Sequence, residues 1–153
     1  MITQELIDDF LGIAKTAHSA IKPENIKLEL LPAPHNAPTK LPTGKMAIYI
    51  FWIDGRCLKV GKAGPKSQAR FTSQHYNPKS AASTLAASIL KSKDDFMPDN
   101  IGNDEIGNWI KSNVSRANIL IDVDQGIAVL NLCEAFMQCR LQPIYEGFTS
   151  QVR

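Results

Sequence analysis

Between Met46 and Tyr76 the chain reads MAIYIFWIDGRCLKVGKAGPKSQARFTSQHY, and its polar residues are of the types that handle a phosphate. Tyr49 falls in a short apolar run, Lys59 and Lys62 bracket the end of a second, and Arg70, His75 and Tyr76 follow closely. A small core requires none of these groups. Arginine offers a planar fork that matches phosphate oxygens and stays charged at any relevant pH. Lysine offers a point charge, and histidine titrates near neutrality. Further along, Glu134 stands among Leu130, Leu132, Cys133, Ala135, Phe136 and Met137, the sole acidic residue between Asp124 and Glu146. A carboxylate on so apolar a helix must face water, a partner or a cation, because burying it alone is costly. A solvated stripe shared with Asn131 and Gln138 competes with the cation-binding role.

Local patterning assigns the elements that must position these groups. Ala47 to Ile53 and Cys57 to Val60 read as strands joined at Asp54-Gly55-Arg56, since Asp-Gly between apolar runs signals a hairpin. Residues 65 to 74 read as a helix with Pro65 in its first turn, broken by Asn77-Pro78. Residues 80 to 92 form a small-residue helix, 94 to 103 a loop, and 104 to 114 a helix with Ile106, Trp109 and Ile110 inward. Ala117 to Val123 is the natural third strand, and 126 to 141 an apolar helix ended by Pro143. Ahead of all this, residues 3 to 20 form an amphipathic helix with Thr3 as N-cap, gathering Leu6, Ile7, Phe10, Leu11 and Ile13 on one side. Residues 31 to 44, LPAPHNAPTKLPTG, are an extended connection. The order points to the α+β class, a small antiparallel or mixed sheet covered by helices.

Taken in order, Ala47-Ile48-Tyr49, then Lys59-Val60-Gly61-Lys62 about ten residues on, then Arg70 and His75, resembles the GIY-YIG nuclease family. The run LNLCEAFMQCRLQPIY, with Glu134 nine residues before Pro143, looks like that family's helix carrying a metal-binding glutamate. The resemblance covers roughly residues 46 to 146. It implies a three-stranded, mainly antiparallel sheet flanked by helices. A single domain would then comprise a nuclease-like core over 46–153 and an N-terminal helix and Pro-rich connection over 1–45 packed against it.

The resemblance further implies a divalent-metal-dependent endonuclease that hydrolyses DNA phosphodiesters with Mg2+ or Mn2+. Glu134 would hold the metal, for a single carboxylate suffices for an ion that keeps several waters. Arg70 would clamp the scissile phosphate, and Tyr49 would position the attacking water or take its proton. The chain departs from the family at Lys59, where a second tyrosine is usual, and a charged lysine cannot reproduce a phenol's acceptor role. It departs again where the family places a histidine or tyrosine four residues after the arginine. Gln74 stands there, with His75, suited to general-base work, and Tyr76 just beyond. Glu146 stands where an asparagine is common, so the orienting amide is missing or comes from elsewhere, Asn131 being one source. Lys62, with Gly61 and Gly64, would form a phosphate-approach turn. Lys62, Lys66, Tyr76 and Lys79 would extend the basic surface toward DNA, in contact with backbone and not with bases. The same fold with its chemistry impaired, binding nucleic acid or regulating a partner, is the alternative.

Composition bounds these readings. A chain of 153 residues, 44% hydrophobic and 21% charged, fits one domain with a real core. A net charge of +2 requires any nucleic-acid affinity to come from a local patch. GKAGPKS is not a P-loop, because its spacing fails and Pro65 removes a needed N–H. Cys57, Cys133 and Cys139 lack metal-site spacing and are expected to be reduced thiols in a cytoplasmic protein. No apolar run is long enough for a membrane span, and the acidic start argues against a signal peptide. His18 and His35 are expected at the surface. Sequence specificity would reside in residues 1–45, in 94–116, in a second copy or in a partner chain.

Overall fold

The computed structural model describes residues 2–81, 83–92 and 95–145. Helix α1 (Gln4–Thr16) leads through a 3-10 turn at Pro23–Asn25 into strand β1 (Ile26–Leu31). Strands β2 (Lys45–Ile53) and β3 (Arg56–Ala63) come next, then helix α2 (Gln68–Thr72) and a 3-10 turn at Gln74–Tyr76. Helices α3 (Leu85–Ser92) and α4 (Ile106–Asn113), strand β4 (Ser115–Asp122) and helix α5 (Ile127–Leu141) complete the order.

The class is α+β, and the sheet has four strands rather than three. Its order is β1-β4-β2-β3, with every neighbouring pair antiparallel. Three of the strands lie at residue 45 or later; the fourth, β1, adds itself to the free edge of β4. Residues 26 to 31 alternate Ile, Lys, Leu, Glu, Leu and Leu, the period of a half-buried strand. Only Ile26 of them is buried, and Leu30 is 53% exposed. An edge strand over a thin layer carries too little apolar content to stand out.

The hairpin forms as its turn chemistry dictates. Asp54 and Gly55 both take positive φ, at 48° and 77°, and Ile53 pairs with Arg56 directly across them. Arg56 therefore starts β3, which runs on to Ala63 opposite Ala47. Phe51 pairs with Lys59 but Trp52 with Cys57, so Leu58 is the extra residue of a bulge. Backbone N–H groups of Ile144 and Tyr145 donate to the carbonyls of Cys57 and Leu58, at 3.0 and 2.9 Å, and cover that stretch of open edge.

Each face of the sheet has its own core. On one face Met46, Ile48, Ile50, Val60 and Ile119 pack under α1 and α5 through Phe10, Leu130, Cys133 and Met137. On the other, Tyr49, Phe51 and Leu120 pack under α2, α3 and α4 through Phe71, Leu85, Ile89, Ile106 and Ile110. In α1 the buried stripe is Leu6, Ile7, Phe10 and Ala14, while Ile13, expected inward, is 46% exposed. The 3.6-residue period carries Ile13 a quarter-turn away. His35, expected at the surface, is buried, because residues 31 to 44 fold down onto the helical layer. There its backbone N–H donates to the Lys111 carbonyl at 2.8 Å. Of the cysteines, Cys133 is buried, Cys57 half-buried and Cys139 exposed. Among the described residues no helix is long and apolar enough to cross a membrane.

One charged side chain lies wholly inside the second core. Arg116 on β4 is 0% exposed, and among the described residues no carboxylate pairs with it. Its Nε donates to Asn118 Oδ1 at 2.8 Å, one terminal nitrogen to the Tyr76 hydroxyl at 3.2 Å, and the other to the Phe71 carbonyl at 2.6 Å. The Phe71, Phe51 and Tyr49 rings stand 4.9, 5.1 and 5.8 Å from its central carbon. Neutral acceptors and ring faces replace the water it gave up. Arg116→Ala is expected to lower the unfolding free energy by about 3–5 kcal/mol, since it empties a large volume and orphans three acceptors. Arg116→Lys should recover little, because an ammonium cannot reach in three fixed directions. Urea titration of both variants checks this, and near-wild-type midpoints would show that the guanidinium ties nothing together.

Candidate functional site

Tyr49 on β2 and Gly61 on β3 are register partners. The phenol ring lies across Gly61 so closely that a Cβ there would fall 2.5 Å from the Tyr49 hydroxyl oxygen. Gly61 thus sits within a strand and serves the approach of a ring, not the phosphate-facing turn expected of it. By crossing the outermost strand, the ring carries its hydroxyl to the edge of the sheet. Burial pushes the phenol's pKa up to about 12; the Arg70 guanidinium opposes this, the Glu134 carboxylate adds to it and Arg116 opposes it. Arg70 from α2 and Glu134 from α5 therefore both act on one oxygen, although the two helices cover opposite faces. With its proton held so firmly, Tyr49 is a hydrogen-bond donor at neutral pH.

Arg70 is exposed, and among the described residues it enters no ion pair. Its neighbour Phe71 is buried, and the Phe71 carbonyl is the one held by Arg116. The short helix is thereby anchored on its inner side while Arg70 faces outward. Lys62 points to the α5 face, where its Nζ lies 2.6 Å from Glu134 Oε2. Glu134 is half-buried beside Cys133, whose thiol burial and the carboxylate together push upward. Asn131, one candidate for an orienting amide, is exposed on α5, and Glu146 lies outside the described residues.

Four expected site residues prove to be interior, Tyr49 at 2% exposed among them. Lys59, opposite Phe51, is 4% exposed, with Nζ 3.5 Å from the Tyr145 carbonyl oxygen. It does not run off the strand edge into water. His75 is 3% exposed, and its ring centroid lies 4.5 Å from that of Tyr49. The Leu85 backbone N–H donates to His75 Nδ1 at 3.2 Å, which leaves the ring proton on Nε2. Burial lowers the His75 pKa to about 3, and the positive charges of Lys59, Arg116 and Arg70 add to that. A neutral imidazole whose acceptor nitrogen is already used cannot serve as the general base expected of it. The Nε2–H meets no acceptor among the described residues. Tyr76, expected to meet DNA, is buried, and its hydroxyl takes the Arg116 donor and lies 2.8 Å from His35 Nε2. Lys66 and Lys79 are exposed and Lys62 half-exposed, so the surface positive charge comes from these and Arg70.

The donor set restricts which ion fits. Among the described residues no group of three His, Cys, Asp or Glu gathers, so a zinc-like cage is excluded there. One carboxylate suits Mg2+ or Mn2+, which would complete their shells with water and substrate oxygens. Arg116 and Asn118 escaped notice in the sequence. Their signal is that both fall on one face of a strand whose other central residues, 117 and 119 to 121, are Ala, Ile and Leu. Comparisons with protein-family models, with curated proteins and with solved structures find no match to this chain.

Gly61→Ala is expected to displace the Tyr49 ring and cost about 1–3 kcal/mol of stability. Ultraviolet titration against a Tyr49→Phe reference should then show the phenol moving from about 12 toward 10.0. His75 gives a pH dependence of definite sign. Its folded pKa of about 3 lies below the unfolded 6.5, so its contribution is complete above the unfolded value and drains away as the solution is acidified below it. Between about pH 7.5 and about pH 5 the wild type should lose about 2 kcal/mol through this group. His75→Phe should lose correspondingly less, as read from urea midpoints at the two pH values.

Proposed function

We propose that the chain is a divalent-metal-dependent endonuclease of GIY-YIG type, acting on DNA phosphodiesters. The single observation that supports this reading is that Arg70 on α2 and Glu134 on α5, from opposite faces, both lie near enough for their charges to act on the Tyr49 hydroxyl of β2. Those are the residues that the resemblance marks for water positioning, phosphate grip and metal binding. Strands β2, β3 and β4 would be the family's sheet, with β1 as an added edge.

In this reading Glu134 holds Mg2+ or Mn2+, which supplies charge neutralisation on the phosphate and a more acidic water. The exposed Arg70 grips the non-bridging oxygens as phosphorane charge develops. Tyr49, a neutral phenol, orients the attacking water by donating or accepting a hydrogen bond. Lys59 contributes positive potential from behind the tyrosine in place of a second phenol. His75 braces the Tyr49 ring by contact and takes no proton. The exposed Lys66 and Lys79 add backbone attraction without base readout.

The Lys62–Glu134 ion pair favours a second reading. A carboxylate already neutralised by its own lysine is what a nucleic-acid-binding module that has lost its chemistry would display. Supercoiled plasmid incubated with the protein and Mg2+ or Mn2+ separates the two. The endonuclease reading expects nicking that disappears in Glu134→Ala. It also expects nicking to fall at least about 100-fold in Arg70→Ala, whose stability should change by less than about 0.5 kcal/mol. Equal, salt-sensitive retention of DNA by wild type and Glu134→Ala, without nicking, would establish the binder.

A further inference from the structure

The carboxylate that the endonuclease reading assigns to the metal is held by Lys62, from the neighbouring strand. We infer that Lys62 is a tethered competitor for the divalent ion: its ammonium occupies Glu134 until a metal displaces it, and once displaced it becomes a ligand for the phosphate. The inference rests on the endonuclease reading of the same residues.

The exposures of the partners differ in the way such an exchange requires. The Glu134 side chain is 19% exposed and that of Lys62 38%. A half-buried carboxylate left without a counter-charge is expensive, so in the metal-free protein the Lys62 ammonium supplies one. The lysine can depart at low cost, since its head is the more accessible one and its four-carbon stem swings into water. Both residues stand on regular elements, β3 and α5, so the contact is set by the scaffold. Its length of 2.6 Å marks a direct charge-assisted hydrogen bond.

The surrounding charge decides the outcome of displacement. Arg70 acts on the Tyr49 hydroxyl together with Glu134. Arg116 lies buried with its central carbon 5.8 Å from the same tyrosine ring and acts on that hydroxyl too. A dication arriving alone would meet a neutral pair in a positive setting and would release one more positive charge there. A phosphodiester arriving with it supplies negative charge and gives Lys62 a new partner. Lys62 thus links the two ligands, and by reciprocity each raises the other's affinity by the same factor.

Titration of Mn2+ alone, with free ion followed by electron paramagnetic resonance, tests the competitor directly and needs no cleavage. Lys62→Met keeps the stem and removes the charge; it should bind Mn2+ at least about 5-fold more tightly than wild type. Lys62→Arg keeps a cation and should stay close to wild type. Glu134→Gln should abolish binding. Lys62→Gln supplies the same comparison if the methionine variant does not fold. Equal or weaker binding by the neutral variants, with Glu134→Gln still abolishing it, overturns the competitor role and leaves the endonuclease reading in place. Binding that is absent throughout, or unaffected by Glu134→Gln, overturns both.

Discussion

A buried guanidinium must find acceptors in several directions at once, and in this protein Arg116 finds them on elements that are otherwise only loosely connected. Asn118 lies two residues along its own strand, the Phe71 carbonyl closes α2, and the Tyr76 hydroxyl belongs to the 3-10 turn beyond. A helix of five residues has little stability of its own. Held by one hydrogen bond to a permanent charge, it presents Arg70 outward at a fixed place. The same charge lies near the Tyr49, Phe51 and Phe71 rings, so the aromatic core and the cation order one another. Burial disfavours the charged form of Arg116, and the Tyr76 and Tyr49 hydroxyls oppose that effect.

The second constraint is the missing side chain at Gly61. A sheet separates what lies on its two faces, and α2 and α5 cover opposite faces. Groups borne on them meet only at an edge, and only if something passes over the outer strand. The Tyr49 ring does so because nothing projects from Gly61. The bulge at Leu58 then sets Lys59 opposite Phe51, on the same face as the tyrosine. The phenol is thereby placed where the charges of Arg70 on α2 and Glu134 on α5 both reach it.

Among the described residues, the charges acting on the Tyr49 hydroxyl are two cations, the interior Arg116 and the surface Arg70, and one carboxylate, Glu134. His75, desolvated by burial and set among positive charges, remains neutral, with its proton placed by a backbone amide. Such a field attracts an anion and resists a lone cation.

Local residue chemistry determined a good part of this molecule. The Asp54-Gly55 turn, the two hairpin strands, α1, α5 with its stop before Pro143, and the apolar run of β4 all rest on short-range preferences that sequence displays directly. The types of Tyr49, Arg70 and Glu134 are equally legible there, and with them what a phenol, a guanidinium and a carboxylate are able to do. What lay beyond reach depended on distant partners. Strand β1 exists because β4 has a free edge, and its own six residues bury almost nothing. His35, His75 and Tyr76 are polar in sequence and interior in space because residues ten or more positions away supply their hydrogen-bond partners: the Tyr76 hydroxyl for His35, Arg116 for Tyr76 and the Leu85 amide for His75. Whether a polar side chain meets water or another chain segment is a property of the packed whole. Residue type sets what a group is able to do, and only the tertiary structure decides which of its atoms are already taken.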